Sequence, residues 1–216
     1  MNDRKCQVEG EIAAKRLLRN VGPEDFPTAS EWEQAVPVAF CADWQGGNAD
    51  EQRRTEVRML WTPDTLFIRF VNRYRELLTF SDSEPGGYRF GLWERDVAEA
   101  FIQPDRFGTR NYKEFEISPN AMWIDLDIIP GGHNRLHSGL RRMAEVDTAS
   151  KVWTAQMAIP IRSITEKFDP AKSWRVNFFR CEGTDPQRWY SAWRPTKTPR
   201  PNFHVPEAFG TMTFDE

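Results

Sequence analysis

Residues 92–105, LWERDVAEAFIQPD, set the frame for reading the chain. Val97, Glu99, Phe101 and Gln103 fall on one side of the run and Asp96, Ala98, Ala100 and Ile102 on the other. Such alternation is what a half-buried strand requires, because successive side chains leave a pleated sheet on opposite faces. Trp93 stands at the entrance of this strand, so a flat apolar ring comes near the carboxylate of Glu99. A pyranose, with its C–H faces and hydroxyl edges, suits that combination. Packing is the plainer reading of a Trp at a strand end, where it is commonly part buried.

On either side of this stretch the same period recurs. TEVRMLW (55–61) and LFIRFVN (66–72) alternate around the turn Thr62-Pro-Asp-Thr65, a strong hairpin signal. YKEFEIS (112–118) follows a turn at 104–108, and MWIDLDI (122–128) follows Pro119-Asn-Ala121. Further strands are read at Val38 to Phe40, 140–146, 152–159, 174–181, 189–193 and 209–214. Two loops stand out. Residues 73–92 gather Ser81, Asp82, Ser83, Pro85, Gly86 and Gly87, and residues 130–139 are Gly-rich. Before the strands, residues 30–35 (SEWEQA) read as a short helix capped by Ser30 with Glu33 completing a capping box, and Trp32 pointing inward. Residues 161–164 read as one helical turn. About ten short strands with almost no helix between them imply an all-β fold, an antiparallel, jelly-roll-like β-sandwich of immunoglobulin-like two-sheet architecture.

The length of 216 residues suits one such domain. It is read as a sandwich over residues 30–216 with residues 1–29, marked by Gly22, Pro23 and Pro27, as an extension packed on it. A net charge of -3 gives no global field towards nucleic acid or an anionic membrane. Nine Trp and fifteen Phe against four Tyr favour strands. Cys6, Cys41 and Cys181 are too widely spaced for a zinc site and odd in number, so they read as reduced structural thiols. The N-terminus lacks an apolar core of signal-peptide length, and no run of about twenty apolar residues occurs. The chain as written reads as unexported and off the membrane, and as extracytoplasmic if a leader precedes it.

Six patches in one order carry a resemblance: EVRMLW (56–61) with LFIRF (66–70), LWERDVAEAFI (92–102), NYKEFEISP (111–119), VWT to AIP (152–160), WRVNFFR (174–180) and FGTMTF (209–214). Together they resemble the family 9 carbohydrate-binding modules, and more specifically the bacterial family-9-like proteins. The resemblance implies a β-sandwich holding a terminal sugar between two aromatic rings, often with a structural calcium ion. Such modules are usually appended to glycoside hydrolases in polysaccharide catabolism. Trp93 resembles the first ring and Glu99 the carboxylate that binds sugar hydroxyls. Phe203, seven residues before Gly210, takes the place of the second ring, where a Trp is expected. Glu116 stands where the family has a basic residue, which leaves Arg180 or Asn177 to supply the missing donor. The calcium ligands are not traceable through the divergent N-terminus.

Two other chemistries stay open. Carboxylate pairs (Glu114 with Glu116, Asp125 with Asp127, Asp96 near Glu99) sit at spacings that glycoside hydrolysis uses, although such pairs are more often solvated faces. His133 and His137, with His204 farther on, could ligate a metal only if their Gly-rich loop were helical. A haem-binding relative would need a Met and His axial pair, and no such pair is marked. The reading is therefore non-catalytic binding of a saccharide by Trp93, Phe203, Glu99, Arg180, Asn177 and Glu116. A glycan-acting hydrolase and a haem or metal binder are the alternatives.

Overall fold

The structure, a computed structural model, describes residues 10–19, 21–22, 24–81, 86–104 and 110–216. The readings at Cys6, Pro23, Asp82, Ser83 and Pro85, and the turn from Asp105 to Gly108, lie outside the described residues.

Among the described residues thirteen strands carry the fold: β1 (Glu11–Arg16), β2 (Val38–Phe40), β3 (Thr55–Trp61), β4 (Thr65–Arg73), β5 (Val97–Gln103), β6 (Tyr112–Ile117), β7 (Trp123–Ile129), β8 (Gly132–Arg135), β9 (Arg141–Asp147), β10 (Val152–Pro160), β11 (Trp174–Glu182), β12 (Trp189–Ala192) and β13 (Gly210–Asp215). They pair in the order β8-β7-β6-β5-β11-β13-β1-β3-β4-β10-β9, with β12 added to β11 and β2 to β3. The sandwich is thus one continuous sheet curled so that its halves face each other. Phe70 of β4 meets Phe178 of β11 edge to face at 5.9 Å across the interior, and Ala98, Ala100, Phe115, Trp153 and Met157 fill the same core.

The β-sandwich expectation is borne out, with a correction in its pairing. β1 runs parallel to both β13 and β3, so the sheet is mixed and not purely antiparallel. Residues 11–16 lie in the middle of the sheet, where the sequence reading had an extension packed on a domain beginning at residue 30. The cause is compositional: EIAAKR carries small and charged residues where a strand signal needs β-branched or aromatic ones. β8 was missed for the same reason, its Gly132-His-Asn-Arg135 exposed at the sheet edge.

The single α-helix described is α1 (Ala29–Trp32), and its capping box is formed by Thr28 and Glu31. The Thr28 N–H donates to Glu31 Oε2 at 2.7 Å, two residues earlier than the Ser30 and Glu33 pair expected. Trp32 is buried and donates through Nε1 to Gln156 Oε1 at 2.9 Å. Cys41 is disulfide-bonded, which overturns the expectation of reduced thiols at that position, while Cys181 is free and buried.

β5 departs from expectation in a way that matters. All seven of its residues are buried, not alternate ones. Its outer face is covered by the segment that follows β12, which the sequence showed only as a Pro-rich loop. Asn177 holds the start of that segment, donating to the Arg194 carbonyl and accepting from the Arg194 N–H, both at 2.9 Å. Trp44 fixes it farther along, its Nε1 donating to the Thr198 carbonyl at 2.9 Å. Beneath it Leu92, Phe101, Tyr112, Phe179, Phe203 and Phe209 form a second apolar cluster.

The join between β1 and β13 is tight. A Cβ at Gly210 would lie 2.6 Å from the Trp193 ring and 2.7 Å from the Gly10 carbonyl oxygen. Gly210→Ala is expected to destabilise the fold by about 1–3 kcal/mol, as other overpacked sites do. Thermal denaturation would show it as a fall of about 2–4 °C per kcal/mol in a chain of this size.

Candidate functional site

The covered outer face of β5, β6, β7 and β11 contains a cavity of about 300 Å³. Strand register builds its floor. Glu99 lies directly opposite Glu116 of β6, and Phe101 opposite Glu114. Glu116 and Glu114 in turn face Ile124 and Leu126 of β7, and Phe179 of β11 faces Glu99. Because side chains alternate along each strand, Glu99, Phe101, Glu114 and Glu116 emerge on one face. One oxygen from each of the three carboxylates lies within 4.8 Å of the other two. Like charges placed opposite one another on a sheet repel.

The walls are aromatic. Trp93, half-buried on the turn Leu92–Glu94, sits edge to face with Phe90 at 5.0 Å. That turn starts at Gly91, whose φ of 78° an L side chain rarely adopts. Phe203 of the covering segment stacks on Phe179 at 4.2 Å and meets Tyr190 edge on at 6.1 Å. His204 stacks on Phe101 at 5.5 Å, and its Nδ1 shares a 2.5 Å hydrogen bond with Tyr112 Oη. Arg188, its guanidinium 5.1 Å over the Tyr190 ring, and His133 complete the polar lining.

Burial governs the charge state of this floor. Desolvation first, then Glu114, pushes the Glu99 carboxyl up to about 8, and desolvation pushes Glu114 up to about 7. Glu116 is raised well above the ordinary range by burial and by the two carboxylates beside it. Desolvation also lowers His204, which favours its neutral form. Apart from the contact between the Glu114 and Glu116 carboxyls themselves, neither Glu116 oxygen nor Glu114 Oε2 receives a hydrogen bond from a described residue. Glu99 Oε1 has only the Cys181 thiol at 3.6 Å. Such carboxyls can keep their protons and donate to a ligand, or ionise when a ligand brings donors or positive charge. Among the described residues they are also the group of acids able to hold a hard cation.

Of the residues expected at the site, Trp93, Phe203, Glu99 and Glu116 line this one cavity. Arg180 and Asn177 do not, and both are corrections. Arg180 is one residue out of phase with Phe179 and emerges on the inner face, 5.0 Å over the Trp153 ring, donating to the Arg73 carbonyl and to Glu182. Asn177 shares the outer face but spends its amide on Arg194. Asp125 and Asp127 are likewise structural, held by Ser138 and Lys113. Asp96 accepts from the Gly183 N–H at 2.6 Å. His133 and His204 reach the cavity, whereas His137 is exposed outside its lining.

Sequence reasoning missed Arg188 and Tyr190 as lining residues and reached His204 only as a distant third metal ligand. The alternation of WYSAW marks Tyr190 as a strand residue. Nothing local marks Arg188 or His204, whose positions depend on how two loops fold back over the sheet.

Residues 132–214 match the carbohydrate-binding family 9 sequence model. The chain is 24% identical over 179 residues to an "Extracellular protein" of Arthroderma benhamiae, covering 74% of this chain and 78% of that one. Its fold is similar to that of a candidate carbohydrate-binding protein from Bacteroides uniformis, with a TM-score of 0.75, 16% identity, and coverage of 95% of this chain and 99% of the other. It is also similar to a family 9 module from Caldicellulosiruptor kristjanssonii solved with glucose, with a TM-score of 0.66, 12% identity and coverage of 95% of each chain. With cellotriose bound, the Caldicellulosiruptor module gives a TM-score of 0.63 at 12% identity, over 95% of this chain and 93% of that one.

Two predictions separate the floor from the frame. A carboxyl whose pKa is raised on folding stabilises the fold at low pH, and that contribution is lost as pH rises from its unfolded value through its folded one. Glu99 and Glu114 therefore place a loss of stability between about 4.5 and 8. Glu116→Gln, by removing one of three facing acids, is expected to raise the Tm at the upper end of that window and flatten the pH profile. Arg180→Ala is expected to cost about 1.5–3 kcal/mol, because it removes one of the two guanidinium partners of buried Glu182, the other being Arg53. In the fraction that remains folded, saccharide titration should find its ligand affinity unchanged.

Proposed function

We propose, from the family 9 match over residues 132–214 and the shared module fold, that this protein binds a carbohydrate chain end or small saccharide without transforming it. Its ligand cavity is the one floored by Glu99, Glu114 and Glu116. The observation that carries this reading is the convergence of Trp93 and Phe203, more than a hundred residues apart in sequence, on one cavity that also contains Glu99. A pyranose brings apolar C–H faces for the rings and hydroxyls for the carboxyls and Arg188. A cavity of about 300 Å³ is at the lower end of small-molecule sites, which favours one terminal sugar over an internal stretch of chain. Phe203 offers less stacking area than a Trp, and one of its faces is already taken by Phe179, so Trp93 supplies the larger free ring. A role in polysaccharide catabolism accords with this reading.

Calorimetric titration with glucose and cellotriose tests it. Wild-type protein is expected to bind, and Trp93→Ala to bind at least about tenfold more weakly, a loss of about 1.4 kcal/mol. Its Tm should change little, since Trp93 is only half-buried. Equal affinity in the two proteins would contradict the placement of the sugar against Trp93.

A further inference from the structure

The floor of the cavity is mismatched to a neutral sugar. Three carboxyls converge there, yet Arg188 is the one permanently cationic side chain in the lining. Glu116 has no exposed surface, and apart from the facing Glu114 carboxyl neither of its oxygens has a hydrogen-bond partner among the described residues. An ionised Glu116 would thus be a buried charge with an unmet requirement for donors, aimed into open space. A hydroxyl supplies one donor and no charge. An alkylammonium group supplies three N–H donors in a tetrahedral arrangement together with a full positive charge.

The spacing agrees. Acceptors about 2.8 Å from a tetrahedral nitrogen lie about 4.6 Å from one another, and the three carboxylate oxygens lie within 4.8 Å of one another. The walls agree as well, because Trp93, Phe101, Phe203 and Tyr190 present aromatic surface, which attracts both the C–H face of a sugar ring and a cation.

We propose that the cavity selects a saccharide whose terminal residue carries a free, protonated amine, with the nitrogen held among Glu99, Glu114 and Glu116. This rests on the carbohydrate reading above and narrows it to amino sugars that are not N-acylated.

The test is calorimetric titration at neutral pH, with chelator present, using glucosamine, N-acetylglucosamine and glucose on the wild type, Glu116→Gln and Glu114→Gln. N-acetylation keeps the ring and removes the charge, so it isolates the amine. Glucosamine is expected to bind at least about tenfold more tightly than the other two, the scale of a charge-assisted contact. In both variants that preference should shrink to about threefold or less. Melting curves confirm that each variant is folded, and the two variants are read independently. Equal binding of glucosamine and N-acetylglucosamine overturns the inference, and if glucose still binds, the carbohydrate reading survives it. Failure of all three sugars sinks both. A glucosamine preference that persists in both variants, or that appears only when calcium replaces the chelator, also overturns it, in the latter case by assigning the carboxylates to a metal.

Discussion

The structure turns on one cross-strand pair. Glu99 of β5 and Glu116 of β6 face each other on a sheet surface covered by other parts of the chain, with Glu114 beside them. In water such a pair would cost little. Under the 194–209 segment each carboxyl loses hydration and meets like charge, and both effects favour the protonated form. Buried neutral carboxyls without partners lower stability, and an apolar replacement would pack as well there. A site that retains three of them concentrates unmet hydrogen-bonding capacity at one place, the floor of a cavity walled by aromatic rings.

The rest of the fold supports that placement. β1, entering between β13 and β3, joins the two halves of the sheet and lets it curl. The curl gives the strands of the site half an inner face, packed against β4 and β10, and an outer face free for the covering segment. Arg180 and Asn177 belong to this support. Arg180 bridges the interior beside Trp153, and Asn177 anchors the segment that carries Phe203 and His204. The alternation that puts Glu99 in the cavity also puts Arg180 outside it.

Much of this was legible in the sequence, and for physical reasons. The strands from β3 to β7 and β10, β11 and β13 carry strong alternation, so their existence and facing could be read directly. That alternation placed Glu99 and Glu116 as strand residues, and only the family resemblance pointed to Phe203. What could not be read was pairing between distant segments. β1 has no strand composition and takes its conformation from its two neighbours, β13 and β3. The coverage of β5 on both faces depends on a loop nearly a hundred residues downstream. The choice of Arg180 as a donor failed because a residue type was matched without its phase relative to Phe179. Arg188 was missed, and His204 was not tied to the saccharide site, because only loop closure brings them there.

The proposed saccharide site is the carboxyl-floored cavity and no other surface of the sandwich. A crystal structure of the protein grown with saturating saccharide addresses it most directly. The account predicts a pyranose seated against Trp93, with its polar atoms within hydrogen-bond distance of Glu99, Glu114 or Glu116. A sugar bound elsewhere on the sheet, with this cavity left to solvent, would contradict it.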